Sequence, residues 1–298
     1  MSFRYGFGYF VRMSALISVI VLGVSVVLAE ESVEETQERR VWHVCMRCKD
    51  KDAESITDAL RRANPKDTIL VYWEPGFPYY MEHLVIDKPV RIISTAAAGD
   101  MMNYDYYPVI ASVSPQVVYI RSPGVELIGF NIMYLQRPEE CHDPRACYAD
   151  TVGIRLEAPA TIRHVAITNC ATGILAVYDD EYLDTGSIIS HCRIGLPPDH
   201  GLTETGFSQT RNHYGIVLLG ARQDGPGLGT GSDKITNCQI MRNTQYGLVY
   251  TSRNEPIRRN NTIQFNSRGP FRVVRPELDD QNTLVWIDTP EDESDKSD

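Results

Sequence analysis

Basic side chains are in short supply in this sequence: 29 Lys and Arg stand against 39 Asp and Glu, a formal net charge of −10 with a pI near 5.2. A surface that tracks phosphates needs a cationic excess, so nucleic acid is excluded as an expected partner. Charged residues make up only 23% against 43% hydrophobic, which excludes a globally disordered chain and leaves enough apolar material for one core. The glycine-rich run Ala221-Arg-Gln-Asp-Gly-Pro-Gly-Leu-Gly-Thr-Gly231 lacks the lysine and the strand-to-helix setting of a phosphate loop, and reads as a plain loop. Helical periodicity is also nearly missing: beyond Asn64-Pro65 no helical pattern of usable length follows.

The acidity is local. Residues 277–298 carry a net of −8 and residues 30–40 a net of −3, while the first 29 carry +2, so residues 41–276 come to about −1. The expected organisation is a leader at 1–29, an acidic linker at 30–40, a near-neutral folded body at 41–287 and an acidic disordered tail at 288–298. The leader has Arg4 and Arg12, an apolar run from Met13 to Leu28, and Val27-Leu28-Ala29 before Glu30-Glu31. This is the pattern of a secretory signal peptide, with an uncleaved anchor as the alternative, since a spanning helix needs about 20 apolar residues. Either way the body is expected to be secreted or periplasmic, touching a membrane only through such an anchor.

Seven cysteines in an oxidising compartment suggest local disulfides, with Cys45, Cys48, Cys141 and Cys147 as the candidates. Cys45-Met46-Arg47-Cys48 also has the spacing of a redox pair, but a thioredoxin-like site wants its cysteines at a helix start, and the helix signal begins several residues later. A zinc site from the four is disfavoured because only the first pair has ligand spacing, so no metal is expected.

The body opens with a short apolar strand, Val41–Val44, and then a helix signal. Ser55 stands three residues before Asp58 as in a capping box, Ile56, Leu60 and Ala63 share one face, and Asn64-Pro65 stops the helix. Short strands take over, none expected to exceed about six residues. A six-residue frame then recurs five times: Leu127–Ile132, Ile162–Ile167, Ile189–Ile194, Ile235–Ile240 and Arg258–Ile263. Apart from Arg258, both ends are apolar, and the third position is Gly129, His164, His191, Asn237 and Asn260. Those residue types tolerate a left-handed backbone, so a recurring bend is expected there. A second strand follows each frame, beginning at Gly153, Gly173, Gly215, Gly247 and Gly269. Frame ends are spaced by 35, 27, 46 and 23 residues, which makes a minimal unit near 23 with inserts at about 133–152 and 195–213.

Short strands joined by sharp bends, with no helices for crossovers, stack in parallel only as a β-helix. The expected fold is therefore all-β, a right-handed parallel β-helix solenoid with a short N-terminal capping helix. A β-sandwich with chance similarity is the alternative, and the strict bend column argues against it. The Cys192 and Cys238 column, shared with Phe130 and Val165, reads as stacked core packing.

On these residues the chain resembles the right-handed parallel β-helix, or pectin-lyase-like, superfamily. Residues 55–93, with Thr68-Ile-Leu-Val71, Pro75-Gly-Phe-Pro-Tyr-Tyr-Met-Glu-His83 and Leu84-Val-Ile86, resemble the entry turn of pectin methylesterases and of periplasmic carbohydrate-binding and sugar-hydrolase β-helix domains. The resemblance covers about residues 42–290. It implies the fold, and chemistry only by analogy.

The catalytic sets of such families are not found. The paired aspartates, arginine and glutamines of a pectin methylesterase cannot be placed. A polygalacturonase-like Asp179-Asp180 pair, near Glu181 and Asp184, lacks the Gly-His-Gly turn, and adjacent strand residues point oppositely. A lyase needs a base beside a uronate and commonly Ca²⁺; Arg211, His213, Arg222, Lys234, Arg258 and Arg259 are scattered candidates, and no cofactor is expected unless the chain is lyase-like. The outward positions of the second strands are Arg155 and Glu157, then Leu175 and Val177, Val217 and Leu219, Val249 and Thr251, Arg272 and Val274. A mostly apolar stripe where a sugar cleft should be polar demands a cover. The expected function is an extracytoplasmic β-helix that binds or scaffolds on polysaccharide or a protein partner without a clear catalytic set; the alternative is a polysaccharide-degrading enzyme, lyase before hydrolase.

Overall fold

A frame with apolar ends and a left-handed residue in its middle carries the chain around a corner. In the computed structural model these frames lie one above another in register. The structure describes residues 39–74, 79–99, 103–135, 151–178, 182, 185–195, 211–221, 233–251, 255–278 and 284–288. All belong to a compact unit, Arg39–Asp298.

Three faces make each coil. The first holds Val41–Val44, Thr68–Val71, Arg91–Ser94, the start of Val125–Tyr134 and of Ala160–Thr168, then Ile188–Ser190, Lys234–Thr236 and Ile257–Arg259. The second holds Tyr79–Met81, Val109–Ser112, the ends of the two long strands, then Arg193–Ile194, Gln239–Met241 and Thr262–Gln264. The third runs from Leu84–Ile86 through Gln116–Ile120, Val152–Leu156, Thr172–Tyr178, Tyr214–Ala221 and Tyr246–Thr251 to Gly269–Leu278. Neighbouring coils pair in parallel throughout; Leu284–Asp288 alone among the described strands is antiparallel, closing the edge of Gly269–Leu278. This is the parallel β-helix expected from the sequence. Strand length departs from expectation, because Val125–Tyr134 and Ala160–Thr168 run unbroken through the bend and reach 10 and 9 residues.

The frame is a set of stacked columns. Ile162 pairs with Leu127 and Ile189, Ile189 with Ile235, and Ile235 with Arg258. The column continues upward through Ile92 and Ile69 to Trp42, where the frame is not legible in the sequence because the chain leaves the coil between its two halves. After Ile92 it detours through a helical turn, Thr95–Ala98, and a 3₁₀ turn, Tyr104–Tyr106, before rejoining at Val109. Every apolar member from Trp42 to Ile235 is buried to 4% exposure or less. Each such side chain contributes about 1.5–3 kcal/mol by leaving water.

The bend column is left-handed as expected: φ is 81° at Gly129, 53° at His164 and His191, 54° at Asn237 and 55° at Asn260. Gly129 has a second cause, since a Cβ there would lie 2.3 Å from the Ala97 Cβ of the helical turn. The glycines opening the third face are set by close approach instead. A Cβ on Gly173 would sit 2.6 Å from the Gly215 carbonyl and 2.7 Å from Ile194. The fifth glycine does not join this column: Gly269 pairs with Tyr246, so Pro270 stands opposite Gly247.

Buried polar ladders tie the other corners. Asn212 Oδ1 accepts from the Cys170 amide at 3.0 Å while its Nδ2 donates to the Ile167 carbonyl at 3.1 Å, and Asn266 does the same for Asn243 and Ile240. Asp67, Ser187 and Asp233 each precede a first-face strand and accept the amide of the coil above, from Arg40 at 2.9 Å, Ala160 at 3.0 Å and Ser187 at 2.7 Å. Each such buried amide would otherwise lose a hydrogen bond.

The helix spans Ile56–Arg62 with Ser55 as its cap, Oγ accepting from Asp58 N at 3.0 Å. The reciprocal half of the capping box is not made. Asp58 pairs with Arg61 and Arg62, and Glu82 of the entry turn supplies the missing acceptors, taking Ile56 N at 2.9 Å and Thr57 N at 2.7 Å.

Two outcomes follow from these columns. Gly173→Ala forces a methyl into backbone and is expected to cost about 1–3 kcal/mol, read as a lowered urea midpoint. Burial holds the His164 imidazole below the ordinary histidine value of 6.5, and His191 and Arg163 push the same way. The unfolded chain therefore takes up this proton first, so the stability contributed by the neutral ring is present above pH 6.5 and lost on acidification. The thermal midpoint should fall between about pH 7.5 and about pH 5.5, and His164→Asn, which keeps a bend-tolerant residue, should flatten that fall.

Candidate ligand-binding surface

The outer side of the third face is closed. Leu175, Val217, Leu219, Val249 and Val274 are exposed by 6% or less and form a second apolar cluster with Val152 and Tyr214, separate from the core. The apolar stripe read from the sequence is thus real and out of contact with water. Most of the two inserts expected to cover it lies outside the described residues.

Nearest the N-terminal end, the same face turns polar. Arg155 Nη2 lies 2.9 Å from Glu157 Oε1, Arg121 Nε lies 3.8 Å from Glu157 Oε2, and both guanidiniums stand 5.5–5.7 Å from the Tyr119 ring. Burial raises the Tyr119 hydroxyl pKa, and its hydrogen bond to Glu157 adds to the rise. Glu157 is engaged by two cations and a phenol and serves as the centre of a neutralised network.

The open polar surface is the corner between the first and second faces. His164 and His191 stack with centroids 4.9 Å apart. Arg163 reaches Ser190 Oγ at 3.4 Å in the next coil. The detour at 95–108 brings an aromatic group to this corner: the Tyr104 hydroxyl donates to the His191 carbonyl, Arg193 lies 4.5 Å over the Tyr104 ring, and Tyr106, 42% exposed, meets Trp73 edge-on at 5.4 Å. Burial pushes the Tyr104 phenol well above its ordinary value.

The first- and second-face strands from Ala160–Thr168 to Thr262–Gln264 carry five cations, Arg163, Arg193, Lys234, Arg258 and Arg259, and no acid. Asp233 is fully buried and hydrogen-bonded, and Glu255 is ion-paired to Arg258 at 2.9 Å. Arg163, Lys234, Arg259 and His191 are exposed. The strands that flank this corner are thus cationic in the later coils.

The sequence candidates do not converge on one place. Arg155 and Glu157 meet each other on the third face. Lys234 opens a first-face strand with its side chain in solvent. Arg258 occupies the core column at the last coil, its guanidinium 4.5 Å over Phe271, while Arg259 beside it lines an open hollow of about 520 Å³ with Asn260 and Asn261. Arg211 is exposed ahead of the third-face strand Tyr214–Ala221, and His213 bonds Thr244 Oγ1 at 3.0 Å. Asp179, Asp180, Arg222, Cys141 and Cys147 lie outside the described residues, as do residues 1–38 and 289–298. Cys45 and Cys48 are disulfide-bonded. Among the described residues one group has ligand atoms near enough for a metal, Cys45, Cys48 and Glu74, and none of the lyase candidates belongs to it. No described helix is long and apolar enough to cross a membrane.

Sequence reasoning missed Tyr104, Tyr106 and Trp73, whose only signal is an aromatic cluster in a segment that interrupts the repeat. It also missed the asparagine ladder, which is legible as Asn212, Asn243 and Asn266 two or three residues before the third-face strand that follows each.

No family model matches the chain, and no curated protein matches it. Solved structures do resemble it. A pectin methylesterase in complex with a hexasaccharide shares 11% identity over 83% of this chain and 85% of that one, with a TM-score of 0.47. A pectin methylesterase from Erwinia chrysanthemi shares 11% over 84% and 85%, at 0.44, and an alginate lyase from Paenibacillus 14% over 74% and 75%, at 0.42. At these identities and scores they are likenesses in outline, and the chain is a parallel β-helix by its own strand registers.

Proposed function

We propose that this chain is an extracytoplasmic β-helix protein that binds an anionic polysaccharide along the corner between its first and second faces, and carries out no chemistry on it. The observation that carries this reading is the charge of the strands that flank this corner in the later coils, five cations and no acid. Arg163 and Arg259 share one column three coils apart, roughly 14 Å, and Arg193 and Lys234 stand in other columns of the two coils between them, so each coil from Arg163 to Arg259 adds a cation for a polyanion laid along the corner. Tyr106 and Trp73 offer aromatic surface at the same corner, and the stacked imidazoles, Asn237 and Asn260 offer hydrogen bonds. The extracytoplasmic setting rests on the leader pattern of residues 1–29.

The experiment is a binding titration of the full chain against polyuronates, a neutral glucan and duplex DNA. Polyuronate binding is expected to weaken with added salt and by about tenfold in Arg163→Gln/Arg193→Gln, with no neutral-glucan binding and weaker DNA binding. Equal affinity for DNA and polyuronate would reduce the reading to bare charge attraction. Steady appearance of unsaturated product, lost in Lys234→Ala or Arg259→Ala, would replace it with a lyase.

A further inference from the structure

The pair Cys45–Cys48 closes the first turn after Val41–Val44, at the N-terminal end of the solenoid. Its two sulfurs are unlike. Cys45 is fully buried, whereas Cys48 is half-buried and reachable from solvent. Two groups are aimed at the buried sulfur. The Cys48 amide donates to Cys45 Sγ at 3.0 Å, and Glu74 Oε1 lies 3.1 Å from the same atom. A carboxylate oxygen that close to a disulfide sulfur has no proton to accept from it; beside a thiol it has one. Glu74 is held in that place by the amides of Met46 at 2.6 Å and Arg47 at 3.4 Å, and the loop is pinned by Lys51 Nζ on the Met46 carbonyl at 2.6 Å.

We propose that Cys45–Cys48 is a reactive dithiol–disulfide pair, opened by an external dithiol at Cys48 with Cys45 as the leaving sulfur and Glu74 as its proton carrier. The step balances. A thiolate of the reductant attacks Cys48 Sγ, the Cys45–Cys48 bond breaks, and its electron pair goes to Cys45 Sγ, which is steadied by the Cys48 amide and takes a proton through the Glu74 carboxyl. The second thiol of the reductant then attacks its own sulfur in the mixed disulfide and releases Cys48. The reductant becomes a disulfide, losing two electrons and the two protons that the protein thiols gain. The helix start that such pairs usually use is absent; one amide and one carboxylate stand in its place. This activity is independent of the ligand reading above.

The full chain, folded in native buffer, is exposed to dithiothreitol, quenched by alkylation at intervals and mapped by mass. Labelling at Cys45 and Cys48 is expected well before the chain unfolds, as timed by circular dichroism, and the pair should equilibrate in mixtures of reduced and oxidised glutathione. Glu74→Gln, which keeps an acceptor for the Met46 amide, is expected to slow reduction about tenfold at an unchanged thermal midpoint, and acetate should partly restore the rate of Glu74→Ala, a rescue that a merely structural role would not give. Reduction only at the unfolding rate would overturn the proposal whether or not the variants fold, and so would a Glu74→Gln rate equal to that of the native chain.

Discussion

Everything in this molecule depends on the in-register parallel pairing of one coil with the next. Because strands in a sheet lie about 4.8 Å apart, each residue finds its own counterpart directly above and below, and a property that suits one coil must suit a stack. Isoleucine on isoleucine fills a buried column, and asparagine on asparagine passes hydrogen bonds along a corner. The core and the ladders are two results of the same repetition.

The sequence exposes this repetition only where a coil is uninterrupted. Frames from Leu127 to Ile240 keep both apolar ends within six residues, and the bend column, which runs on to Asn260, is marked by a residue type that few other demands select. Above Leu127 the same columns continue through Ile92, Ile69 and Trp42, yet the detour at 95–108 and the entry turn split each frame in two, and adjacency in the coil no longer means adjacency in the chain. The entry-turn glutamate shows a similar gap. Glu82 reads as part of a turn, and its work, accepting the first amides of a helix 25 residues earlier, is visible only in three dimensions.

The candidate surface was legible in its chemistry and not in its location. Composition makes the protein acidic and segmentation makes its body neutral, while in the structure the strands beside one corner of the later coils carry cations and no acid. The outward apolar positions of the third face were identified residue by residue from alternation, since side-chain direction on a strand follows from parity alone. Which corner a separate segment decorates with tyrosines follows from tertiary packing, which parity does not contain.

At the last coil, Arg258 stands where every coil above it has an apolar residue. A solenoid whose two ends presented matching columns would be a template for its own growth, each copy adding coils to the next as strands add to a fibril. A guanidinium in the isoleucine column cannot be buried by an incoming copy without stripping its water and displacing Glu255, and the antiparallel strand Leu284–Asp288 already occupies the edge of the third face. An arginine in an otherwise apolar column and an antiparallel edge strand thus make this end a poor template for a second copy.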